Sequence, residues 1–87
     1  MARRPRLKPI KIAWKPLSHA WGYAYAEEWR IELDPRMTDK TLLDIAVHET
    51  IHCCLPVLDE EAVDLTARHV ANVLTRLGFR RFPDGDE

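Results

Sequence analysis

Cysteine is scarce in this chain of 87 residues, which contains only the neighbouring Cys53 and Cys54. Consecutive Cα atoms lie about 3.8 Å apart, closer than an ordinary disulfide requires. The sequence therefore offers no disulfide framework. Free cysteines without such a framework are typical of a reducing compartment, so we expect a cytoplasmic protein.

Long apolar runs and internal repeats are also absent from the sequence. No apolar run follows the opening Met-Ala-Arg-Arg-Pro-Arg, so we expect neither a signal peptide nor a membrane-spanning segment. The composition is that of a globular protein, with 46% hydrophobic and 31% charged residues. We predict one domain over residues 7–79, between a basic flexible tail at 1–6 and a C-terminal tail at 80–87. Domains of this size bury a limited core and often need a staple such as a metal ion.

The charges are segregated along the chain, although the net charge is only −1. Residues 1–15 carry six bases and no acid, whereas residues 27–64 carry eleven acids and three bases. A basic arm of this kind is compatible with nucleic-acid binding, but a solvated tail is the more common explanation. A bound cation would offset the negative charge of residues 27–64.

Three short segments show the alternation of a half-buried β-strand. The first runs from Leu7 to Pro16, with Ile10, Ile12 and Trp14 pointing one way. The second and third segments are Trp21–Tyr25 and Trp29–Leu33. Because little more than two residues separate them, they are predicted to form a hairpin. We therefore expect a small antiparallel three-stranded sheet.

Two helices are expected after the sheet, which gives the α+β class and an antiparallel helix pair. Thr38 or Asp39 can cap the first helix, and Pro56 stops it. Asp59 can cap the N-terminus of the second helix. Gly78 lies at its C-terminus, where helices often end in a residue of left-handed conformation, usually glycine. The expected core-facing stripes are Leu43, Val47, Ile51 and Cys54 on the first helix, and Val63, Ala67, Val70, Leu74 and Leu77 on the second.

The segment His48-Glu49-Thr50-Ile51-His52 matches the H-E-x-x-H pattern inside the first predicted helix. Positions four apart share one helix face, so His48 and His52 can bind one metal ion together. Glu49 lies about 100° round the helix, where it can reach a metal-bound water as a general base. The pattern thus indicates one Zn²⁺, whose coordinated water would have a pKa of about 7.

A third ligand is needed, and a glutamate at the start of the second helix or His69 could supply it. His69 lies nine residues after Glu60, about 13 Å further along and half-way round the helix, so it should face away from the metal. Of the two glutamates, we favour Glu60 over Glu61. Asp64 follows Glu60 by one turn and could orient a ligating histidine as a second carboxylate.

These residues resemble the gluzincin type of zincin metallopeptidase, which carries H-E-x-x-H on one helix and E-x-x-x-D on the next. The second motif corresponds to Glu60-Glu61-Ala62-Val63-Asp64. The chain looks most like minimal gluzincins and short phage- or prophage-associated zincin-core proteins. It is similar, more distantly, to phage-repressor-cleaving peptidases of the ImmA/IrrE group. The resemblance covers roughly residues 28–78.

The resemblance implies a zinc site whose ligands are His48, His52 and Glu60. It also implies that Glu49 is the general base and that Asp64 is a carboxylate that orients the ligands. It also implies that Trp29–Leu33 is an edge strand along which an extended peptide or protein substrate binds, a general mode of peptide recognition. Three residues are candidates for stabilising the oxyanion: His19, Tyr23 and Tyr25.

We consider two main functions, beside a third in which the basic arm and the tryptophans bind nucleic acid. The first is zinc-dependent peptide-bond hydrolysis with Glu49 activating the attacking water. The alternative is a zinc-stapled binding module without turnover, either an oligomer or a subunit that a partner completes. Glu49 favours the first, because a purely structural zinc site has no use for an acid at that position.

Overall fold

The computed structural model describes residues 6–79, so the predicted tails lie outside the described residues apart from Arg6. The α+β class is confirmed. Within residues 6–79, neither helix is long and apolar enough to cross a membrane. The elements, in chain order, are β1 (Lys11–Trp14), β2 (Gly22–Tyr25), a 3₁₀ turn (Ala26–Glu28), β3 (Arg30–Leu33), α1 (Asp39–Cys54) and α2 (Glu60–Arg76).

The sheet has the strand order β1-β3-β2. The predicted hairpin is confirmed, since β2 and β3 pair in antiparallel fashion. The expectation of a wholly antiparallel sheet is wrong, however, because β1 runs parallel to β3, with Ile12 opposite Ile31. The strand predicted to lie at an edge of the sheet, Trp29–Leu33, is therefore its central strand.

Asp34 explains how the chain reaches this mixed topology. Its carboxylate is completely buried at the end of β3 and accepts hydrogen bonds from the Leu17 amide and from the backbone and guanidinium of Arg36. The Arg36 hydrogen bonds are the main cause that holds the pKa of Asp34 well below its usual range. Because Asp34 fixes the segment between β1 and β2 across the end of β3, the two strands lie on opposite sides of β3.

Helix α1 is the middle layer of the fold, between the sheet and α2. Leu42 and Cys53 join Ile31 and Leu33 in the core. Of the stripe predicted for α1, Leu43, Val47 and Ile51 are half-buried, whereas the prediction for Cys54 is wrong because it is exposed. The buried residues of α1 are Leu42, Glu49 and Cys53. A helix covered on two sides has no single apolar stripe to reveal its orientation.

Helix α2 packs mainly against α1 through small side chains. Val63 and Ala67 are buried as predicted, and Ala71 completes the stripe, whereas Val70 and Leu77 are exposed. The predicted caps are confirmed: Asp59 accepts a hydrogen bond from the Ala62 amide, and Gly78 has a φ of 94°. Small residues at the contact let two helices approach closely. This close approach brings the first turn of α2 to the His48–His52 face of α1.

Candidate metal centre and cleft

His48 and His52 lie one turn apart on α1, and the Nε2 atom of each ring points at the Glu60 carboxylate. His48 Nε2 is 2.6 Å from Glu60 Oε1, and His52 Nε2 is 3.2 Å from Glu60 Oε2. The two rings meet edge to face, with centroids 4.8 Å apart. The helix spacing and the short α1–α2 connection thus bring together the three residues that the sequence analysis favoured.

His48, His52 and Glu60 form a cluster that could hold a metal ion. One potential ligand atom from each residue lies within 4.8 Å of the others. Ligands bound tetrahedrally at about 2.0–2.2 Å from a metal lie about 3.3–3.6 Å from one another, so the contacts of 2.6 and 3.2 Å, which are hydrogen-bond distances, would have to lengthen around an ion. The Glu60 side chain is 70% exposed, so it has room to adjust around an ion.

The electrostatics of Glu60 favour its ionised form. Partial desolvation raises the pKa of Glu60, but the His48 hydrogen bond and the charges of both imidazoles together outweigh it, and the net pKa is lowered. A carboxylate that stays ionised beside two imidazoles supplies the negative charge that a divalent cation needs. With both imidazoles neutral, the cluster would therefore offer a divalent cation two nitrogen donors and one negative charge.

Glu49 lies beside the cluster but on the sheet side of α1. Its side chain is buried, with 9% exposure, and burial is the main cause that raises the pKa of Glu49. The charges of His48 and His52 oppose that rise, and Glu60 adds to it. Glu49 lines the same cleft as the three cluster residues. The structure thus separates the carboxylate available for proton transfer from the carboxylate available for metal binding.

Gly22 is a site residue that the sequence analysis missed. A Cβ atom at this position would lie 2.8 Å from Ile45 Cγ2 and 3.1 Å from Glu49 Cγ. Only a glycine therefore lets β2 pass so close to α1 at the level of Glu49. The available signal was a glycine inside an alternating strand pattern, which often marks a close backbone approach.

We expect Gly22→Ala to lower the free energy of unfolding by about 1–3 kcal/mol, because overpacking forces neighbouring atoms to move. Urea denaturation of the metal-free protein measures this change. Ile45→Ala removes the side-chain atom that the new Cβ would strike. The double variant should therefore be more stable than the sum of the two single changes predicts. Strict additivity, or an unchanged stability in Gly22→Ala, would contradict the close contact.

The cleft beside the cluster has a volume of about 370 Å³. Its floor includes β2, an edge strand whose other side pairs with β3. The Asp34 amide donates a hydrogen bond to the Trp21 carbonyl, so Trp21 and Asp34 form a hydrogen-bonded pair. Such pairs alternate with non-hydrogen-bonded pairs along an antiparallel ladder. The N–H and C=O groups of Gly22 and Ala24 therefore point away from β3. The lining residues are Gly22, Tyr23, Ala24, Ala26, His48, Glu49, His52, Pro56 and Glu60.

The expectation that Trp29–Leu33 is an edge strand that binds a peptide is wrong. Both sides of β3 are hydrogen-bonded, to β1 on one side and to β2 on the other, so the strand Trp29–Leu33 has no open edge. The crossing fixed by Asp34 is the physical reason for this placement. The open strand edge next to the cluster belongs to β2.

The three candidates for the oxyanion donor occupy different places. Tyr23 lines the cleft. Tyr25 instead donates its hydroxyl hydrogen bond to Glu32, 3.1 Å away on the neighbouring strand. His19 lies with Arg36 and Trp21 at a separate surface cavity. Of the three, only Tyr23 borders the cleft, and the alternation of β2 places its side chain on the sheet face of Tyr25, opposite the face that Gly22 turns to α1.

The remaining candidates do not join the cluster. Asp64 pairs with Arg68 at 3.6 Å, and among residues 6–79 it makes no hydrogen bond to either clustered histidine. Glu61 is exposed in the first turn of α2 and, in the described part of the chain, is not a member of the metal-binding cluster. His69 lies at another cavity, with Lys40 and Asp44.

No known protein family matches this chain, and neither a characterised protein nor a solved structure shows significant similarity to it. The comparisons therefore leave the resemblance to zincins untested. The function must be inferred from the chemistry of the cleft itself, beginning with its nitrogen and carboxylate groups.

Proposed function

We propose that the protein is a zinc-dependent hydrolase of peptide bonds. The observation that carries this proposal is the convergence of His48 Nε2, His52 Nε2 and the Glu60 carboxylate beside a buried Glu49 in one cleft. Two imidazoles and one carboxylate are a donor set typical of catalytic zinc, which keeps a further position open. The same donor set also binds iron(II), and the H-E-x-x-H pattern, with Glu49 next to the first ligand, is the feature that favours zinc.

When bound, zinc would lower the pKa of a coordinated water and polarise the carbonyl of the bond to be cleaved. His48 and His52 would hold the ion through Nε2, with Glu60 as the third ligand. Glu49 would accept the proton of the attacking water. The position of Glu49 supports this role, because its buried side chain lines the same cleft as the three cluster residues.

An extended peptide would bind along β2 in this proposal. The outward backbone groups of Gly22 and Ala24 offer the hydrogen bonds of an added strand, and the strand lies directly beside the cluster. Tyr23 is not assigned as the oxyanion donor, because its side chain lies on the sheet face opposite that of Gly22 and Ala24.

Two other expectations remain predictions. Nucleic-acid binding by the basic arm rests partly on Arg3 and Arg4, which lie outside the described residues. The cytoplasmic location rests on the two cysteines, which are free thiols in the structure. Neither is required for peptide hydrolysis.

Hydrolysis of a fluorogenic peptide library tests the proposal. We expect cleavage by the zinc-loaded protein, loss of cleavage after chelation, and recovery on adding about one equivalent of zinc. His52→Ala should be inactive, whereas His69→Ala, a histidine outside the cluster, should keep full activity. If the protein holds zinc but cleaves no peptide in the library, catalysis is contradicted and the zinc-stapled binding module is the function that remains.

A further inference from the structure

The turn between α1 and α2 exposes four consecutive apolar residues, Leu55-Pro56-Val57-Leu58, which we call the apolar lip. Leu55 is 51% exposed, Val57 is 92% exposed and Leu58 is 38% exposed. Runs of exposed apolar residues are uncommon unless they serve binding. The lip is therefore a feature that needs a functional explanation.

The fold itself does not require most of this apolar character. Pro56 stops α1, and the turn closes through hydrogen bonds from Leu55 N to the Ile51 carbonyl and from Leu58 N to the Leu55 carbonyl. These are backbone bonds that polar side chains would also permit, and turns generally favour Gly, Asn, Asp and Ser. Val57 exposes nearly its whole side chain, so it contributes little to the core.

One residue of the lip, Pro56, lines the cleft, and its neighbours Leu55 and Val57 continue the exposed apolar surface outward from there. Pro56 lines the cleft together with His52 and Glu60, and β2 lines the other side. A peptide added to β2 would therefore extend its side chains next to the lip. This continuity with the cleft distinguishes the lip from the other exposed apolar side chains, such as Leu65 on α2.

We propose that the apolar lip selects peptides with a large apolar side chain close to the bond that is cleaved. This inference rests on the proposed function and names its substrate class. A large aliphatic or aromatic side chain would lie against Leu55, Pro56 and Val57, and water would be displaced from both apolar surfaces. Peptides with a small polar residue at the same position would leave the lip in water.

The charges next to the lip argue against a lipid surface as its occupant. Asp59, Glu60 and Glu61 follow the lip directly, and Asp59 and Glu61 are exposed. Anionic headgroups attract basic segments and would be repelled by these acids. An apolar peptide side chain meets no such repulsion.

Binding to the zinc-loaded Glu49→Gln variant tests the lip without turnover. The probes are alanine-based decapeptides that carry leucine or serine at each position in turn, and fluorescence anisotropy gives the affinity. We expect leucine at one position to tighten binding about tenfold or more over serine. Adding Leu55→Ser and Val57→Ser should abolish that preference. Adding Leu65→Ser, which changes a leucine of equal exposure away from the cleft, should preserve it.

Several outcomes would overturn the proposal that the lip selects apolar peptides, and they are distinct from the outcomes that would overturn the proposed hydrolase function. Equal affinity for leucine and serine peptides overturns it, even if the wild-type protein cleaves peptides. Binding of the protein to phosphatidylcholine–phosphatidylserine vesicles that is lost in the lip variant overturns it in favour of a lipid surface. A leucine preference that depends on the lip supports it, even if the wild-type protein proves inactive and the catalytic proposal fails.

Discussion

Glu49→Gln is expected to reduce peptide hydrolysis by about 10²–10⁴-fold, the usual contribution of a general base. Glutamine has nearly the same shape as glutamate but cannot accept the proton of the attacking water. Glu49 belongs to the sheet-facing side of α1 and is not one of the three clustered residues, so zinc affinity should be retained. Loss of turnover with retained zinc is the signature of a base rather than a ligand.

Steady-state kinetics on the zinc-loaded variants measures this effect, and elemental analysis of the same samples measures the bound zinc. Glu61→Gln is the matched control, because it removes an equal charge from an exposed position near the cleft. That control should retain wild-type kcat. A Glu49→Gln protein with wild-type kcat would remove Glu49 from the mechanism, and one that loses its zinc would make Glu49 a ligand.

Glu60→Ala is expected to weaken zinc binding by more than about 100-fold, the upper range for loss of a residue that only supports a ligand. The variant removes the carboxylate that reaches both His48 and His52. Glu61→Ala should bind zinc as the wild type does. The two changes are chemically identical and adjacent on α2, so the comparison isolates the position of the carboxylate.

Competition with a chromophoric zinc chelator gives the two affinities directly. Circular dichroism of the metal-free variants should show the same helix content, because Glu60 is an exposed first-turn residue and Asp59 supplies the cap of α2. Equal zinc affinity in Glu60→Ala and the wild type would exclude Glu60 as the third ligand.

The sequence predicted the local elements and the central cluster well, because both depend on short-range rules. The four-residue spacing of His48 and His52 fixes their common face on any helix. The short turn after Pro56 and the cap at Asp59 then place Glu60 within reach of both, as the structure shows. Antiparallel pairing of the last two strands followed from the closeness of the two segments.

Long-range packing limited the rest of the prediction. Alternation identified β1 but held no information on its partner, which depends on the buried Asp34 at the end of β3. Because α1 is covered on two faces, its apolar pattern could not tell Cys53 from Cys54. The glycine in the alternating pattern of β2 signalled a close backbone approach, but its partners, Ile45 and Glu49 on α1, are set by long-range packing.

Zinc content of the wild-type protein tests the central claim most directly. The protein would be purified without added metal, titrated with zinc, freed of excess by gel filtration and analysed for zinc per chain. The cluster of His48, His52 and Glu60 predicts about one zinc per chain. A protein that contains no zinc and takes none up would contradict the metal site, and with it the proposed hydrolase.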